Sequence, residues 1–225
     1  MPDGGVSAGG LESRMLPVLE DARRRGLLGP GPLLPHLGHA LGFGAAACTG
    51  AEGGPGGTPA WAGLDLGSGA GLPGLPLALT WPDSRWTLVD AGKRRVEFLV
   101  EAVRSLGLED RVEVVAGRAE ELGRHERLRG WFDLVVARGF GPPAVTAECA
   151  AGFLTVGGRL VVSEPPGGRP GRWPASGLAP LGLEPSATIE TMGASYAVLH
   201  QRSPCPDRFP RRTGIPSKRP LFAAP

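Results

Sequence analysis

The 225-residue chain lacks the features that mark secreted, membrane and metal-binding proteins. Its three cysteines, Cys48, Cys149 and Cys205, form neither a metal-ligand spacing nor an even disulfide set, which favours a reducing, cytoplasmic setting. The first ten residues have no basic start and no apolar core, so no signal peptide is predicted. No run approaches the roughly 18 apolar residues of a membrane span. With a net charge of only +2, any affinity for nucleic acid must come from a local patch.

Glycine and proline, by contrast, are abundant, with 37 and 24 residues, and they divide the chain into segments. Residues 1–59 are predicted to hold a disordered tail, a helical extension and a glycine-rich linker. Apolar residues at spacings of three and four predict the two helices of that extension, over 11–28 and 33–47. Residues 60–202 form the main domain, and 203–225 form a basic tail.

Strand-like and helix-like runs alternate through the main domain. Strands are predicted at 61–66, 86–90, 112–116, 132–137 and 159–163. Helices are predicted at 74–79, 93–106, 142–153 and 175–181. Two further strand-like runs, Ala187–Thr191 and Ser195–His200, form a hairpin. This order predicts an α/β fold with a mostly parallel sheet and helices on both faces. Five parallel strands closed by a hairpin resemble the Rossmann-like, seven-stranded sheet of class I methyltransferases more than a six-stranded dinucleotide fold.

The most informative run is LDLGSGAGLPG, residues 64–74, in which an apolar strand leads into closely spaced glycines. Gly67, Gly69 and Gly71 permit positive φ angles and let a ligand lie against the backbone. A strand, a glycine-rich loop and a helix in this order are typical of a cradle for a nucleotide cofactor. A glycine-rich turn without a ligand is the alternative.

Two features of this run favour S-adenosylmethionine over NAD. Asp65, at the end of the strand, can bind the methionine ammonium group, and NAD has no such group. Pro73 and Pro76 leave few free N–H groups at the helix start. A pyrophosphate needs those N–H groups, whereas S-adenosylmethionine has no phosphate.

Each of the next three strands also ends in polar residues. Asp90 ends the second strand, where an acid can accept hydrogen bonds from both ribose hydroxyls; its alternative role is to cap the helix beginning near Lys93. Ala119 and Glu120 follow the third strand, where methyltransferase sheets meet the adenine; the alternative is a solvated first helical turn. Arg138 follows the fourth strand and can clamp a phosphate or carboxylate or stack on a base, with a surface salt bridge as its alternative.

Four runs of the main domain, in their order and spacing, resemble the RsmG/GidB family. They are LDLGSGAGLPGLPLAL, LVDAGKRRVEFL, AGRAEEL and FDLVVARGF. Members of this family are bacterial S-adenosylmethionine-dependent methyltransferases that modify a guanine N7 in 16S ribosomal RNA. The tail RFPRRTGIPSKRPL is similar to the family's terminal segment, whereas residues 11–60 depart from the family's pattern.

The resemblance implies a set of site residues. The cofactor contacts expected from the loop chemistry and the resemblance together are Asp65, Gly67, Gly69, Gly71, Leu72, Asp90, Ala119, Glu120 and Arg138. The RNA contacts expected are Lys93, Arg138, Arg211, Arg212, Lys218 and Arg219. The basic tail is a phosphate-contacting arm in this interpretation and a disordered C-terminus in the alternative. His36 and His39, three residues apart on a predicted helix, either face the cleft or are ordinary helix-face residues.

The expected reaction needs no general base, because guanine N7 carries a lone pair and no proton. We accordingly predict no catalytic nucleophile and no metal, and we expect a monomer that acts in the cytoplasm on small-subunit ribosomal RNA. The alternatives are a diverged methyltransferase acting on another RNA or a small molecule, and a non-catalytic binding module. An NAD-dependent dehydrogenase ranks lower, since no hydride-transfer constellation is apparent.

Overall fold

The protein is described here from a computed structural model that covers residues 8–49, 60–166 and 171–223. Most of the predicted N-terminal tail and the whole glycine-rich linker over 50–59 lie outside the described residues. Within the described ranges, no helix is long and apolar enough to cross a membrane.

A seven-stranded sheet forms the centre of the fold. Its strands are β1 (Ala62–Leu66), β2 (Arg85–Asp90), β3 (Val112–Ala116), β4 (Phe132–Ala137), β5 (Leu154–Glu164), β6 (Leu183–Thr191) and β7 (Ala194–Gln201). They lie in the order β3-β2-β1-β4-β5-β7-β6. Strands β1 to β5 are parallel to one another, and β7 is antiparallel to both β5 and β6. The predicted fold class is therefore confirmed.

Helices cover both faces of this sheet. They are α1 (Ala8–Arg24), α2 (Leu33–Cys48), α3 (Gly74–Thr80), α4 (Lys93–Ser105), α5 (Ala119–Leu122), α6 (Pro143–Ala151), α7 (Ala175–Leu178) and α8 (Ile215–Lys218), with a 3₁₀ turn at Ala179–Leu181. Alternate residues of β4 pack into separate cores, since successive side chains of a strand point to opposite faces. Leu134 and Val136 join the core under α1 to α4, and Val135 and Ala137 join the core under α6. Burial on both faces explains why the parallel strands are continuous apolar runs.

The structure departs from the predicted elements mainly around β5 and β6. Strand β5 begins at Leu154 instead of Arg159, and a register irregularity between Phe132 and Leu134 of β4 accommodates its extra residues. Strand β6 begins at Leu183, and it crosses Pro185 through a second irregularity. Proline and paired glycines disfavour strands locally, so cross-strand pairing is what extends both elements.

The sheet topology places a crevice beside β1. The connection from β1 runs to β2 on one side, whereas β4 adds to its other side, so the direction of winding reverses there. In open parallel sheets, the loops after such strands diverge and leave a binding crevice at the carboxyl ends.

Candidate functional site

A cleft of about 410 Å³ opens at this carboxyl edge. Its walls come from the loops after β1, β2, β3 and β4, from α6 and from the C-terminal segment. The lining residues are Leu27, Gly67, Gly69, Val89, Asp90, Ala91, Arg95, Gly117, Arg118, Ala119, Glu120, Gly139, Phe140, Val145, Cys149 and Ser217. The cleft is therefore lined by charged side chains, by the backbone of glycines and by apolar side chains.

The glycine loop after β1 presents its backbone to the cleft. Gly67 and Ser68 donate their N–H groups to the carbonyl of Val89 at 2.9 and 3.0 Å, which fixes the loop to β2. Gly67 has a φ of +74°, and a side chain there would meet the ring of Phe140. Gly69 has a φ of +55°. A Cβ built there would lie 3.8 Å from the Gly67 carbonyl oxygen and closer to no other atom outside the adjoining residues, so this side of Gly69 is open to the cleft. Glycine at these two positions keeps the cradle open.

Asp90 ties the two neighbouring loops together. Its Oδ2 accepts the Gly69 N–H at 3.0 Å, and its Oδ1 accepts the Gly92 N–H and the Arg95 Nε–H, each at 2.8 Å. The side chain is 4% exposed yet lines the cleft. The residue preceding α4 is Gly92, so Asp90 is not the helix cap itself. It organises the entry to α4 and also faces the cleft.

Ala119 and Glu120 begin a short helix, which matches the helical turn of the alternative interpretation. The Glu120 carboxylate is turned away from solvent: its Oε1 accepts the Gly214 N–H at 3.0 Å and lies 3.4 Å from Arg118 Nη2. Burial alone would raise the pKa of Glu120, but the Gly214 hydrogen bond and the Arg118 charge outweigh it and lower this pKa. The carboxylate is thus a charged anchor for the C-terminal segment and not a solvated side chain.

Asp65 lies fully buried behind the glycine loop. Its Oδ2 accepts the Gly74 N–H at 2.9 Å, which joins the end of β1 to the start of α3. Its Oδ1 is buried and has no hydrogen-bond partner in the described part of the chain. Burial raises the pKa of Asp65 to about 7, although the Gly74 hydrogen bond and the charge of Arg138 both lower it.

Arg138, directly after β4, resembles Asp65 in having one polar atom with a hydrogen-bond partner and one without. Its Nη2 lies 2.7 Å from Nδ1 of His36, whereas its Nη1 is buried with no partner among the residues described. Burial lowers the pKa of this guanidinium. Because a guanidinium has only donors, His36 must accept through an unprotonated Nδ1.

Helix α2 brings both of its histidines to this region. Burial, together with the charges of Arg138 and His36, lowers the pKa of His39 to about 4. The His39 ring packs between Phe43 and Tyr196 with centroid distances of 5.6 and 5.4 Å, and the Tyr196 hydroxyl donates to the His39 carbonyl at 2.7 Å. These histidines therefore face the Arg138 side of the sheet edge and are not plain surface residues.

The predicted cofactor residues fall into two groups. Gly67, Gly69, Asp90, Ala119 and Glu120 line the cleft together. The other four do not line it: Asp65, Gly71, Leu72 and Arg138 lie within the surrounding structure. A side chain at Gly71 would overlap Leu75, so glycine there serves the packing of α3, and this packing role differs from the predicted ligand contact.

The residues predicted to contact RNA also differ in their exposure to solvent. Lys93 is 90% exposed, and its Nζ lies 3.9 Å from Glu97. Arg212, Lys218 and Arg219 are exposed on the C-terminal segment. Arg211 is different, because its guanidinium is paired inside the protein with the fully buried Glu148. The basic tail is thus folded against the domain, and the guanidinium of Arg211 is engaged by Glu148, whereas the contact of Arg211 with RNA stays a prediction.

Several lining residues were not predicted. Arg95 and Phe140 lie within the family-like runs, so proximity to Asp90 and Arg138 in sequence was a usable signal. Ser217 lies within the family-like tail, which carried a signal of the same kind, whereas Cys149 had none, because it reaches the cleft only through the packing of α6. No group of three or more His, Cys, Asp or Glu side chains that could hold a metal ion occurs in the described ranges.

Comparison with known proteins identifies the family to which the chain belongs. A family model, GidB, described as rRNA small subunit methyltransferase G, matches residues 58–164. Ribosomal RNA small subunit methyltransferase G of Deinococcus radiodurans is 38% identical over 173 residues, which cover 72% of this chain and 66% of that protein. The protein of the same name from Deinococcus deserti is 39% identical over 166 residues, which cover 71% of this chain and 68% of that protein. The alignments thus span about two thirds of these relatives.

A solved structure supports the fold alone. Fibrillarin of Aeropyrum pernix, in complex with natively bound S-adenosyl-L-methionine, superposes with a TM-score of 0.54 at 16% identity and covers 73% of this chain and 76% of that one. The fold is that of class I S-adenosylmethionine-dependent methyltransferases, and with the sequence similarity above, the chain belongs to the ribosomal RNA small subunit methyltransferase G (RsmG/GidB) family.

Proposed function

We propose that the protein transfers a methyl group from S-adenosylmethionine to small-subunit ribosomal RNA, at N7 of a guanine. One observation carries this proposal: the glycine cradle and Asp90 line a cleft at the sheet edge, and Asp65 and Arg138, which lie at the ends of strands β1 and β4 behind it, each keep one buried polar atom without a partner among the described residues, in a member of this family.

The cleft fits the nucleoside half of the cofactor. The open side of Gly69 gives the ligand access to the backbone. Asp90 Oδ2 has one hydrogen bond, from Gly69, and a carboxylate oxygen can accept two. A ribose hydroxyl can therefore donate to it without breaking the loop. Ala119 and Val145 supply apolar surface for the adenine.

The buried polar atoms fit the amino-acid half. In this proposal the methionine ammonium group binds Asp65 Oδ1 and its carboxylate binds Arg138 Nη1, both of which lack partners among the described residues. Both atoms lie behind the cleft lining, so the ligand must reach them past the glycine loop. Buried polar groups are almost always hydrogen-bonded, so one unsatisfied acceptor and one unsatisfied donor of opposite charge suit the two ends of a zwitterionic ligand. A bound ammonium would also hold Asp65 in its charged form, since an opposite charge lowers a carboxyl pKa.

When bound, S-adenosylmethionine supplies a methyl group that is already activated by the sulfonium. The protein's part is then to hold the two reacting atoms in line, which can lower the barrier by roughly 7–11 kcal/mol. No general base is required at guanine N7, which has a free lone pair. The ring of Phe140 lines the cleft beside Gly139 and offers a π face to the cationic product.

Basic side chains lie near the cleft and suit an RNA backbone. Arg95 and Arg118 line it with side chains 49% and 53% exposed, and Lys93, Lys218 and Arg219 are exposed on adjoining elements. Guanine N7 lies in the deep, narrow major groove of A-form RNA, so the target must be unpaired or splayed out.

The test is transfer of tritiated methyl groups from S-adenosylmethionine to small subunits that lack this modification, compared with deproteinised 16S RNA. Borohydride and aniline treatment then cleaves the RNA at 7-methylguanine. We expect label at a single guanine that this treatment cleaves. Label that resists cleavage would refute N7 but keep ribosomal RNA as the substrate, and absence of label from both RNAs would refute the substrate.

A further inference from the structure

We infer that residues 211–219, which we call the closing segment, form a wall of the cofactor cleft, that Ser217 contacts the adenosine half of the ligand, and that Arg211 positions this wall. This inference rests on the proposed function, because it concerns the same cofactor. It adds a cofactor-binding role for the tail to the RNA-contacting role predicted for its exposed basic residues.

The closing segment is anchored by one buried ion pair. Arg211 donates its backbone N–H and its Nε–H to Glu148 Oε1, each at 2.8 Å, and its Nη2 to Glu148 Oε2 at 2.6 Å. The same Nη2 donates to the Arg219 carbonyl at 2.7 Å, which holds the far end of the segment. Glu148 is fully buried, whereas the Arg211 side chain is 25% exposed. Both ends of the segment are thus fixed by one guanidinium.

The middle of the segment is attached to the adenine side of the cleft. Gly214 donates its N–H to Glu120 Oε1 at 3.0 Å, and the Thr213 hydroxyl donates to Glu121 Oε1 at 2.8 Å. Gly214 has a φ of +78°, a conformation that glycine adopts easily, and this turn directs its N–H toward Glu120. Pro216 is buried beneath the turn, and Ser217 follows it on the cleft lining.

A second set of contacts fixes the approach to the segment and does not involve Arg211. Arg124 donates to the Pro210 carbonyl at 2.6 Å, and Arg129 donates to the carbonyls of Phe209 and Cys205 at 2.9 and 2.6 Å. Loss of the Arg211 anchor should therefore loosen the far end of the segment, residues 215–219, while Thr213, Gly214 and the preceding turn keep their own contacts. The wall can be loosened without unfolding the sheet.

The cofactor and the wall are then coupled. If the ligand contacts Ser217 only when the segment is docked, ligand binding stabilises docking and docking strengthens binding by the same factor. A loosened segment should lower the cofactor affinity by about tenfold, within the range usual for such couplings.

The experiment measures the affinity for S-adenosylhomocysteine by calorimetry, without RNA, in the full-length protein and three variants. Glu148→Gln weakens the anchor with nearly unchanged shape. A truncated chain ending at Arg212 removes the wall but keeps the Arg211–Glu148 pair. Glu184→Gln is the matched control, because Glu184 also pairs with an arginine, Arg202, on an exposed surface. Melting temperatures confirm that each variant is folded.

We expect an affinity loss of about tenfold in both test variants and none in the control. We also expect S-adenosylhomocysteine to slow trypsin cleavage after Arg212 in the full-length protein but not in Glu148→Gln. Unchanged affinity in the truncated chain would overturn the wall, and unchanged affinity in Glu148→Gln together with undiminished trypsin protection would overturn the role of Arg211. If the full-length protein itself binds neither S-adenosylhomocysteine nor S-adenosylmethionine, the proposed function fails and the inference fails with it.

Discussion

Two acid–arginine sets at the same sheet edge are built in opposite ways. Glu148 and Arg211 satisfy one another through three hydrogen bonds. Asp65 and Arg138 attract one another, yet each keeps a buried polar atom with no partner in the described chain. A satisfied buried pair holds two segments together, whereas a buried polar atom without a partner costs free energy that a bound ligand or water can recover. The first set is structural, and we propose that the second binds the cofactor.

The largest effect should come from breaking the satisfied set. Glu148→Ala leaves the Arg211 guanidinium without its partner and opens a void under α6, so we expect the free energy of unfolding to fall by about 3 kcal/mol. Urea titration measures this loss. Glu184→Ala, which breaks an exposed pair, should cost less than about 1 kcal/mol. Equal losses in the two variants would contradict the structural role of the buried pair.

Substitution in the unsatisfied set, at Asp65, should make the protein more stable than the wild type as the pH rises. Burial raises the pKa of Asp65 from 3.8 to about 7, so the folded protein binds this proton more tightly than the unfolded chain. The contribution of Asp65 is most favourable below pH 4 and is lost as the pH rises through 7. Asp65→Asn removes this loss, so its stability relative to the wild type should rise by roughly 2–3 kcal/mol between pH 4.5 and 6.5.

His39 makes a comparison at equal pH necessary. Its lowered pKa, about 4 against an ordinary 6.5, gives a contribution that is present above pH 6.5 and is lost as the pH falls through 4. This slope opposes that of Asp65 over the same range, so the wild type alone should show little net change. Urea titrations of wild type and Asp65→Asn at each pH isolate the carboxyl group. A constant difference between pH 4.5 and 6.5 would show that Asp65 has no raised pKa.

The same contrast marks how far the sequence could predict this molecule. The order of strands and helices from 61 to 163 and the carboxyl-edge positions of Asp90 and Arg138 follow from apolar periodicity and strand ends. The docking of Arg211 does not, because its partner Glu148 lies 63 residues away within a run of small apolar residues. The composition of a basic tail is the same whether the tail is free or folded. Its pairing with the buried Glu148 shows that this tail is folded.

The histidines of α2 illustrate the same limit. Spacing placed His36 and His39 on one side of a helix, but it could not show what that side faces. The contact between His36 and Arg138 spans 102 residues and depends on α2 packing against the sheet near β7. Local pattern predicted the elements, and long-range packing decided which polar groups meet.

The next prediction concerns the arginine of the unsatisfied set. Arg138→Gln removes the unpartnered Nη1 donor and the positive charge, so we expect the free energy of S-adenosylhomocysteine binding to weaken by about 1.5–3 kcal/mol. The free energy of unfolding should change by less than the binding, because no described residue accepts a hydrogen bond from Nη1. Calorimetry and urea titration on the same samples measure both. A loss of stability larger than the loss of binding would make Arg138 structural, as Arg211 is.

The smallest expected effect is at His36, which touches Arg138 through Nδ1 at 2.7 Å. His36→Ala leaves the guanidinium free to rotate, so we expect S-adenosylhomocysteine binding to weaken by about 1 kcal/mol. His36→Gln offers an amide oxygen in place of Nδ1 and should recover part of this loss, whereas His125→Ala, on an exposed turn away from Arg138, should change nothing. If glutamine and alanine at position 36 bind equally well, the hydrogen bond does not orient Arg138. Partial recovery would instead mean that α2, from the segment that departs most from the family pattern, helps to set the cofactor affinity.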